Sequence, residues 1–285
     1  MLAYDILAGI AHDAPEALEP LRYRLVDSNP WRRREAMTAM TEAGLAERVS
    51  ISDPLDPQPP FEGVLLGNEV ADAFPAHRLV VRDRKLAEWF VVETGIGFGW
   101  SEAPASAVVQ DLPELVDLAR TLPEGSILDV SPAAAVWFES SARLLNRGLA
   151  LLIDYGYPAD RLFSDHRLEG TLRAYRGQQV TDDPFRSPGA YDLTVHVDFT
   201  ALERAGMRGG LQPAGFTTQG DFLAQLGMGS FLVDLQQEPD MTAEEYLAAK
   251  AAIIRLIDPG GLGRFGVLGM ARGIDPHPPL TGFGR

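Results

Sequence analysis

The 285-residue chain contains no cysteine, which excludes disulfide bridges and thiolate metal sites and fits a reducing, cytoplasmic setting. It has no uninterrupted apolar run of about 18 residues, so a helical membrane span is excluded. Asp5 and Asp13 stand where a signal peptide carries a basic segment and an apolar core, so none is read there. Positive charge is scarce: 25 Lys and Arg face 40 Asp and Glu, a formal net charge of −15. That balance opposes phosphate backbones and argues against nucleic acid as a partner, while a cationic group such as an arginine side chain stays compatible. No Walker loop, nucleophile elbow, His-Glu-x-x-His pair or Cys/His cluster occurs, and no metal site is expected.

What is present is a globular composition, 46% hydrophobic, with the rhythm of an α/β fold. A helix is predicted over 2–12, with Leu2, Ile6, Leu7 and Ile10 on one stripe, then a strand over 22–26. A helix over 30–43 starts with Pro30 and stops at Gly44. "RVSIS" is a short strand, and "FEGVLLGNE" reads as a buried strand of the parallel kind. Residues 77–125 change character: a hairpin turning at "RDRK", the loop-rich "GIGFGWSEAPAS", and a short helix near 113–121. They read as an insertion into a core made of 1–76 and 126–285. Beyond it, Ser131 and Pro132 open a helix, and "GLALLIDYG" is the strongest buried strand. Residues 157–197 form a long polar stretch, expected to be a functional loop. Asp198 caps a further helix, and strand, helices and a terminal strand complete a doubly wound sheet with a loose tail.

Four constellations carry possible chemistry. Asp27, at a strand's carboxyl end before Ser28-Asn29, suits the two hydroxyls of a ribose or else caps the next helix. Asn68, Glu69 and Asp72 follow an apolar strand at the edge where open α/β sheets place a ligand, and they suit capping equally. Asp154 and Tyr155 repeat that arrangement one strand over, with Gly156 permitting a sharp turn; Asp154 also suits a structural role as acceptor for backbone amides. In "GTLRAYRGQQV", Arg173, Tyr175 and Arg176 can clamp a carboxylate or stack on a planar group, or form a solvated loop. In "DLTVHVDF", Leu193, Val195 and Val197 alternate with Thr194, His196 and Asp198, and a lone histidine there is more often structural than a base. "GIGFGW" opens no helix, so it reads as a hairpin exit and not a phosphate cradle.

Together, "YRLVDSNPWRRR", "GVLLGNEVADAFPAHRL", "LLIDYGY", "GTLRAYRGQQVTDDPFRSPGAYDLTVHVDFTAL" and "TTQGDFLAQLG" resemble the MidA-type family of S-adenosylmethionine-dependent methyltransferases. This is the family of the mitochondrial complex I assembly arginine methyltransferase. The resemblance covers nearly the whole chain, and the block from Gly170 to Leu202 is its most specific part. It implies a class I, Rossmann-like methyltransferase sheet with an insertion over the cofactor, and S-adenosylmethionine as that cofactor. By the same likeness Asp27, Ser28, Asp53, Asn68 and Glu69 bind the cofactor. Glu69, Asp72 and Asp154 serve as catalytic carboxylates near the acceptor, and Arg173, Tyr175, Arg176 and His196 contact substrate. The implied substrate is a protein side chain, arginine by family likeness, and a homodimer is left open.

One departure stands out. Family members open with a strand and a loop of the form E-x-G-x-G-x-G-T-L, directly before the helix that here begins "LAYDIL". This chain starts at Met1-Leu2, as if cut just after that loop. The alternative expectation is therefore a catalytically silent binding or assembly protein derived from a methyltransferase.

Overall fold

A computed structural model describes residues 2–164, 168–177, 179–181, 183–237, 241–276 and 279–284. The chain divides into two compact units, Met1–Pro59 and Pro60–Arg285.

The first unit contains α1 (Leu2–Asp13), α2 (Pro15–Leu18), β1 (Tyr23–Val26), α3 (Pro30–Glu42) and β2 (Val49–Ser52). β1 and β2 pair in parallel, Tyr23 opposite Val49 through Val26 opposite Ser52. α3 is the crossover that a parallel pair requires. Leu7 of α1 and Met40 of α3 are fully buried and pack with Ala3 and Val49. Gly44 takes a φ of +70° and ends the helix, as its lack of a Cβ allows.

The second unit runs through β3 (Phe61–Asn68), β4 (His77–Arg82), β5 (Lys85–Thr94), β6 (Gly97–Pro104), α4 (Ala107–Gln110), α5 (Pro113–Ala119), β7 (Ile127–Val130), α6 (Pro132–Leu144) and β8 (Leu145–Asp154). It continues with β9 (Gly156–Tyr157), α7 (Ala159–Leu162), β10 (Arg173–Arg176), β11 (Gln179–Thr181), β12 (Asp192–Thr194), β13 (Val197–Asp198) and α8 (Phe199–Arg208). β14 (Gln212–Thr218), α9 (Gln219–Gln225), α10 (Met228–Gln237), α11 (Ala243–Ile257) and β15 (Gly266–Arg272) complete it.

Its main sheet has the order β14-β15-β8-β3, with β3 parallel to β8 and β15 antiparallel to both its neighbours. Phe138 of α6, Phe199 and Leu202 of α8, and Leu145, Leu268 and Met270 of the sheet form its core. A second, antiparallel sheet has the order β6-β5-β4-β7 and packs its own core, with Leu79, Val81 and Leu128 against Val109 and Leu115. β10, β11 and β12 form a third, small sheet.

Several expectations change. "FEGVLLGNE" is a parallel strand, yet Glu62, Gly63 and Val64 are exposed, so it is only partly buried. In the loop-rich "GIGFGWSEAPAS", Gly95-Ile96 make the hairpin turn but Gly97–Pro104 is a strand, β6, which pairs residue for residue with β5 from Thr94 opposite Gly97 to Ala87 opposite Pro104. The antiparallel sheet reaches Val130, beyond the boundary at residue 125, because β7 pairs with β4. The segment 157–197 is no structureless loop among its described residues: it holds α7, β10, β11 and β12. Within "DLTVHVDF" the alternation breaks, since Val195 and Val197 are buried while Leu193 is exposed in a separate strand. In the tail, Phe283 packs on Phe222 with ring centres 5.2 Å apart.

Candidate active site

The first unit presents carboxylates at the ends of its parallel strands: Asp27 directly follows β1 and Asp53 directly follows β2. Asn29, not Asp27, caps α3, accepting the N–H groups of Trp31 at 2.9 Å and Arg32 at 3.4 Å. Asp27 accepts the Asn29 N–H through Oδ1 at 2.7 Å, and its Oδ2 has no hydrogen-bond partner among the described residues. A carboxylate oxygen left open at a parallel strand's carboxyl end fits a ribose hydroxyl. Ser28 beside it is exposed. Asp53 is committed elsewhere. Arg33 donates Nη1 to its Oδ2 at 2.7 Å and to the Asp27 carbonyl at 2.6 Å. The Leu55 N–H donates to its Oδ1 at 3.0 Å. These bonds, that from Leu55 foremost, hold the Asp53 carboxyl below the usual carboxylate range. Asp53 is thus a brace for Arg33.

In the second unit, Glu69 follows β3 with a φ of +50°, a left-handed conformation that residues other than glycine rarely hold. Its N–H donates to the Ile153 carbonyl of β8 at 2.9 Å, which ties the bend to the sheet. The chain then turns so that three successive N–H groups converge on one atom. Val70, Ala71 and Asp72 donate to Oδ2 of Asp154 at 3.1, 2.9 and 3.3 Å. Oδ1 of Asp154 accepts the Tyr155 N–H at 2.8 Å. Asp154 is 2% exposed, so it pins the turn from below and does not stand at the rim where the sequence reading puts it. Burial, and next the charge of Asp72, push its carboxyl up to about 7 against the pull of those N–H groups.

The rim itself carries Glu69, exposed, and Asp72, half-buried. Burial first, then the charge of Glu69, raises the Asp72 carboxyl above the usual range, and Asp192 adds to the effect. Asn68 reaches Glu69 only loosely, Nδ2 to Oε1 at 3.5 Å. From the other side the Val195 N–H donates to the Asp72 carbonyl at 3.3 Å, which brings "DLTVHVDF" against the turn. The His196 ring stands nearly perpendicular to Tyr155, centres 4.1 Å apart, and its backbone N–H donates to Thr171 Oγ1 at 3.1 Å. The Arg264 guanidinium lies over the Tyr155 ring, 4.5 Å from its centre.

Register places Arg173 opposite Thr194 and Tyr175 opposite Asp192, so Tyr175 and Asp192 share a face of the small sheet. Arg173 donates Nη1 to the Leu172 carbonyl at 2.8 Å. It also lines a cavity of about 130 Å³ with Arg78, Trp100, Glu169, Leu172 and Pro184. Arg176 is exposed, with its guanidinium 6.0 Å from the Tyr191 ring centre. The fold therefore gathers Asn68, Glu69, Asp72, Asp154 and His196. Arg173 and Tyr175 lie on β10, which Thr171 and β12 tie to that turn, whereas Asp27, Ser28 and Asp53 belong to the first unit. Asp192 and Thr171 escape the sequence reading, although both fall inside its quoted segments, because neither bears on a site until the strands are paired.

The sequence profile described as "Putative S-adenosyl-L-methionine-dependent methyltransferase" matches residues 1–217. The chain belongs to this methyltransferase family. A crystal structure of a Burkholderia thailandensis protein bound to S-adenosyl-homocysteine is 31% identical, with a TM-score of 0.88, covering 100% of this chain and 71% of that one. A native crystal structure from the same organism is 30% identical, with a TM-score of 0.86, covering 98% and 73%. These neighbours identify the mixed α/β fold as class I-like. Among curated relatives, the mitochondrial protein arginine methyltransferase NDUFAF7 homolog of Drosophila melanogaster is 29% identical over 241 residues, which is 80% of this chain and 52% of that protein. The mitochondrial protein arginine methyltransferase NDUFAF7 of Homo sapiens is 28% identical over 221 residues, 72% and 44%. The chain spans about half the length of the curated relatives it matches.

Proposed function

We propose that the protein carrying this chain transfers a methyl group from S-adenosylmethionine to an arginine side chain of a protein substrate. The observation that carries the acceptor is the pair Glu69 and Asp72, one exposed in a left-handed bend and one half-buried with a raised carboxyl, on a turn pinned by Asp154. The names of the curated relatives support arginine as the acceptor, and the structural neighbour bound to S-adenosyl-homocysteine supports the donor.

When bound, the cofactor supplies an electrophilic methyl group on a sulfonium. Asp27 is the residue to hold its ribose, through the carboxylate oxygen that the Asn29 contact leaves open. An arginine side chain stays protonated in water, so its nitrogen becomes a nucleophile only as its proton departs. Glu69 orients the guanidinium as an acceptor of its hydrogen bonds. Asp72, whose proton affinity is raised by burial and by Glu69, receives the proton. Asp154 touches neither reactant; it holds the turn that carries both acids, and so contributes through orientation.

A protein substrate is further supported by the β5–β6 hairpin. Val91, Ile96, Phe98 and Trp100 are all exposed on it, with Ile96 at 101%. Exposed apolar and aromatic clusters of this kind mark surfaces that meet other proteins. The test is incubation of the full-length protein that carries this chain with S-adenosylmethionine labelled on its methyl group and with cell extract. Label in protein, lost with Asp72→Asn, is expected. A donor-bound protein that transfers no label sinks the proposal.

A further inference from the structure

Asp129 is a second buried carboxylate of the larger unit, 3% exposed, and no part of the acceptor site. It lies on β7 directly across from Arg78 on β4. Four hydrogen bonds converge on it. Arg78 donates Nη1 to Oδ1 at 2.9 Å and to Oδ2 at 3.1 Å, and the N–H groups of Thr171 and Leu172 donate to Oδ2 at 2.5 and 2.9 Å. Arg78 also donates Nη2 to the Glu169 carbonyl at 3.1 Å, with its guanidinium 5.6 Å from the Trp89 and 5.8 Å from the Trp100 ring centre. Between them Gly170 takes a φ of +72°, and a Cβ there would stand 2.5 Å from Asp129 Oδ2 and 2.8 Å from Ile127 Cγ2. The turn 169–172 is thus clamped onto the antiparallel sheet by the Arg78–Asp129 pair.

The next contacts of that turn lead to the acceptor site. Thr171 is 7% exposed, and its Oγ1 accepts the His196 N–H at 3.1 Å. One residue before, the Val195 N–H donates to the Asp72 carbonyl at 3.3 Å. From Asp129 to Asp72 there is an unbroken path of hydrogen bonds and a single peptide step, and its polar groups are buried or half-buried.

We propose that Asp129 and Thr171 are positioning residues that set where Asp72 stands, so that the Arg78–Asp129 pair of the antiparallel sheet governs how an acceptor is held. The inference rests on the acceptor reading given above for Glu69 and Asp72, and deepens it. Residue 129 must accept through both of its oxygens. A carboxamide there turns an NH2 group toward either the guanidinium or the peptide donors, all of which can only donate. Thr171 needs its hydroxyl as an acceptor and little else.

The variants Thr171→Val and Thr171→Ser separate this role from packing. Val keeps the shape and removes the acceptor; Ser keeps the acceptor. In methyl transfer to an arginine peptide, Val raises the acceptor KM about tenfold and Ser stays within about twofold, with donor Kd unchanged in both. Asp129→Asn follows Val, and if it fails to fold the Thr171 pair decides alone. Equal KM in wild type and Val, or equal losses in Val and Ser, overturns the proposal. If no arginine peptide is methylated, the acceptor reading has failed, and NMR titration of the Asp154 carboxyl decides instead because it needs no substrate. Asp72 acts on this carboxyl through its charge and through its N–H, so displacing Asp72 shifts the midpoint in Val and not in Ser. An unchanged midpoint in Val then overturns the proposal.

Discussion

Replacing Asp154 by Asn tests how the turn beneath the acceptor site is held. In the folded chain this carboxyl is raised from 3.8 to about 7 by burial and by Asp72, which corresponds to roughly 4 kcal/mol as an upper bound. The sign follows from proton binding. Between about pH 4 and pH 7 the folded state keeps a proton that the unfolded state has released, so stability is full below about pH 4 and falls as pH rises through about 7. Asn carries no such dependence. Its Oδ1 can serve the N–H groups of Val70, Ala71 and Asp72, but its NH2 then faces the Tyr155 N–H, donor against donor. One buried donor left unsatisfied costs about 1–3 kcal/mol. Asp154→Asn is therefore less stable than wild type by about 1–3 kcal/mol at about pH 4 and below, and the gap shrinks as pH rises and closes or reverses by about pH 8. Urea unfolding of both proteins across that range, followed by circular dichroism, measures it; other carboxyls titrate in both and cancel to first order. A gap that stays constant, or widens as pH rises, refutes the reasoning, because the N–H groups would then outweigh burial and keep the carboxyl ionised.

Asp27→Ala lowers donor affinity about tenfold or more by calorimetry while leaving the acceptor KM unchanged, whereas Asp53→Asn disturbs only the Arg33 brace and changes donor affinity little. Gly156→Ala drives a Cβ into the Val197 backbone, splits the β9–β13 pair and destabilises the larger unit by about 1–3 kcal/mol in thermal melts. Gly95→Ala, at a hairpin turn with nothing within 4 Å of the added carbon, stays within about 0.5 kcal/mol and serves as its control.

The parts legible in the sequence are those written in local pattern. An apolar run ending in Asn68-Glu69, another ending in Asp154-Tyr155, and Pro30 after a short strand mark strand ends and a helix start wherever they occur. β6 escapes because Gly97 and Gly99 occupy alternate positions, so period-two alternation is masked by residues that read as breakers. The placement of Asp154 below the rim is not local at all, since the three N–H groups that hold it come from a turn more than 80 residues earlier. Asp129 hides in an apolar strand, "ILDV", and its partner Arg78 is 51 residues away. Carboxylates that clamp turns become visible only when the strands are assembled: Asp154 holds the turn of Val70, Ala71 and Asp72, and Asp129 holds that of Thr171 and Leu172.

Arginine is the proposed methyl acceptor, held by Glu69 and Asp72. Tandem mass spectrometry of proteins labelled by the full-length protein with isotopically marked S-adenosylmethionine tests it most directly. Marked methyl groups on arginine side chains, abolished by Glu69→Gln or Asp72→Asn while donor binding persists, are predicted. Label found only on other residues, or on arginine at undiminished rate in both variants, contradicts the account.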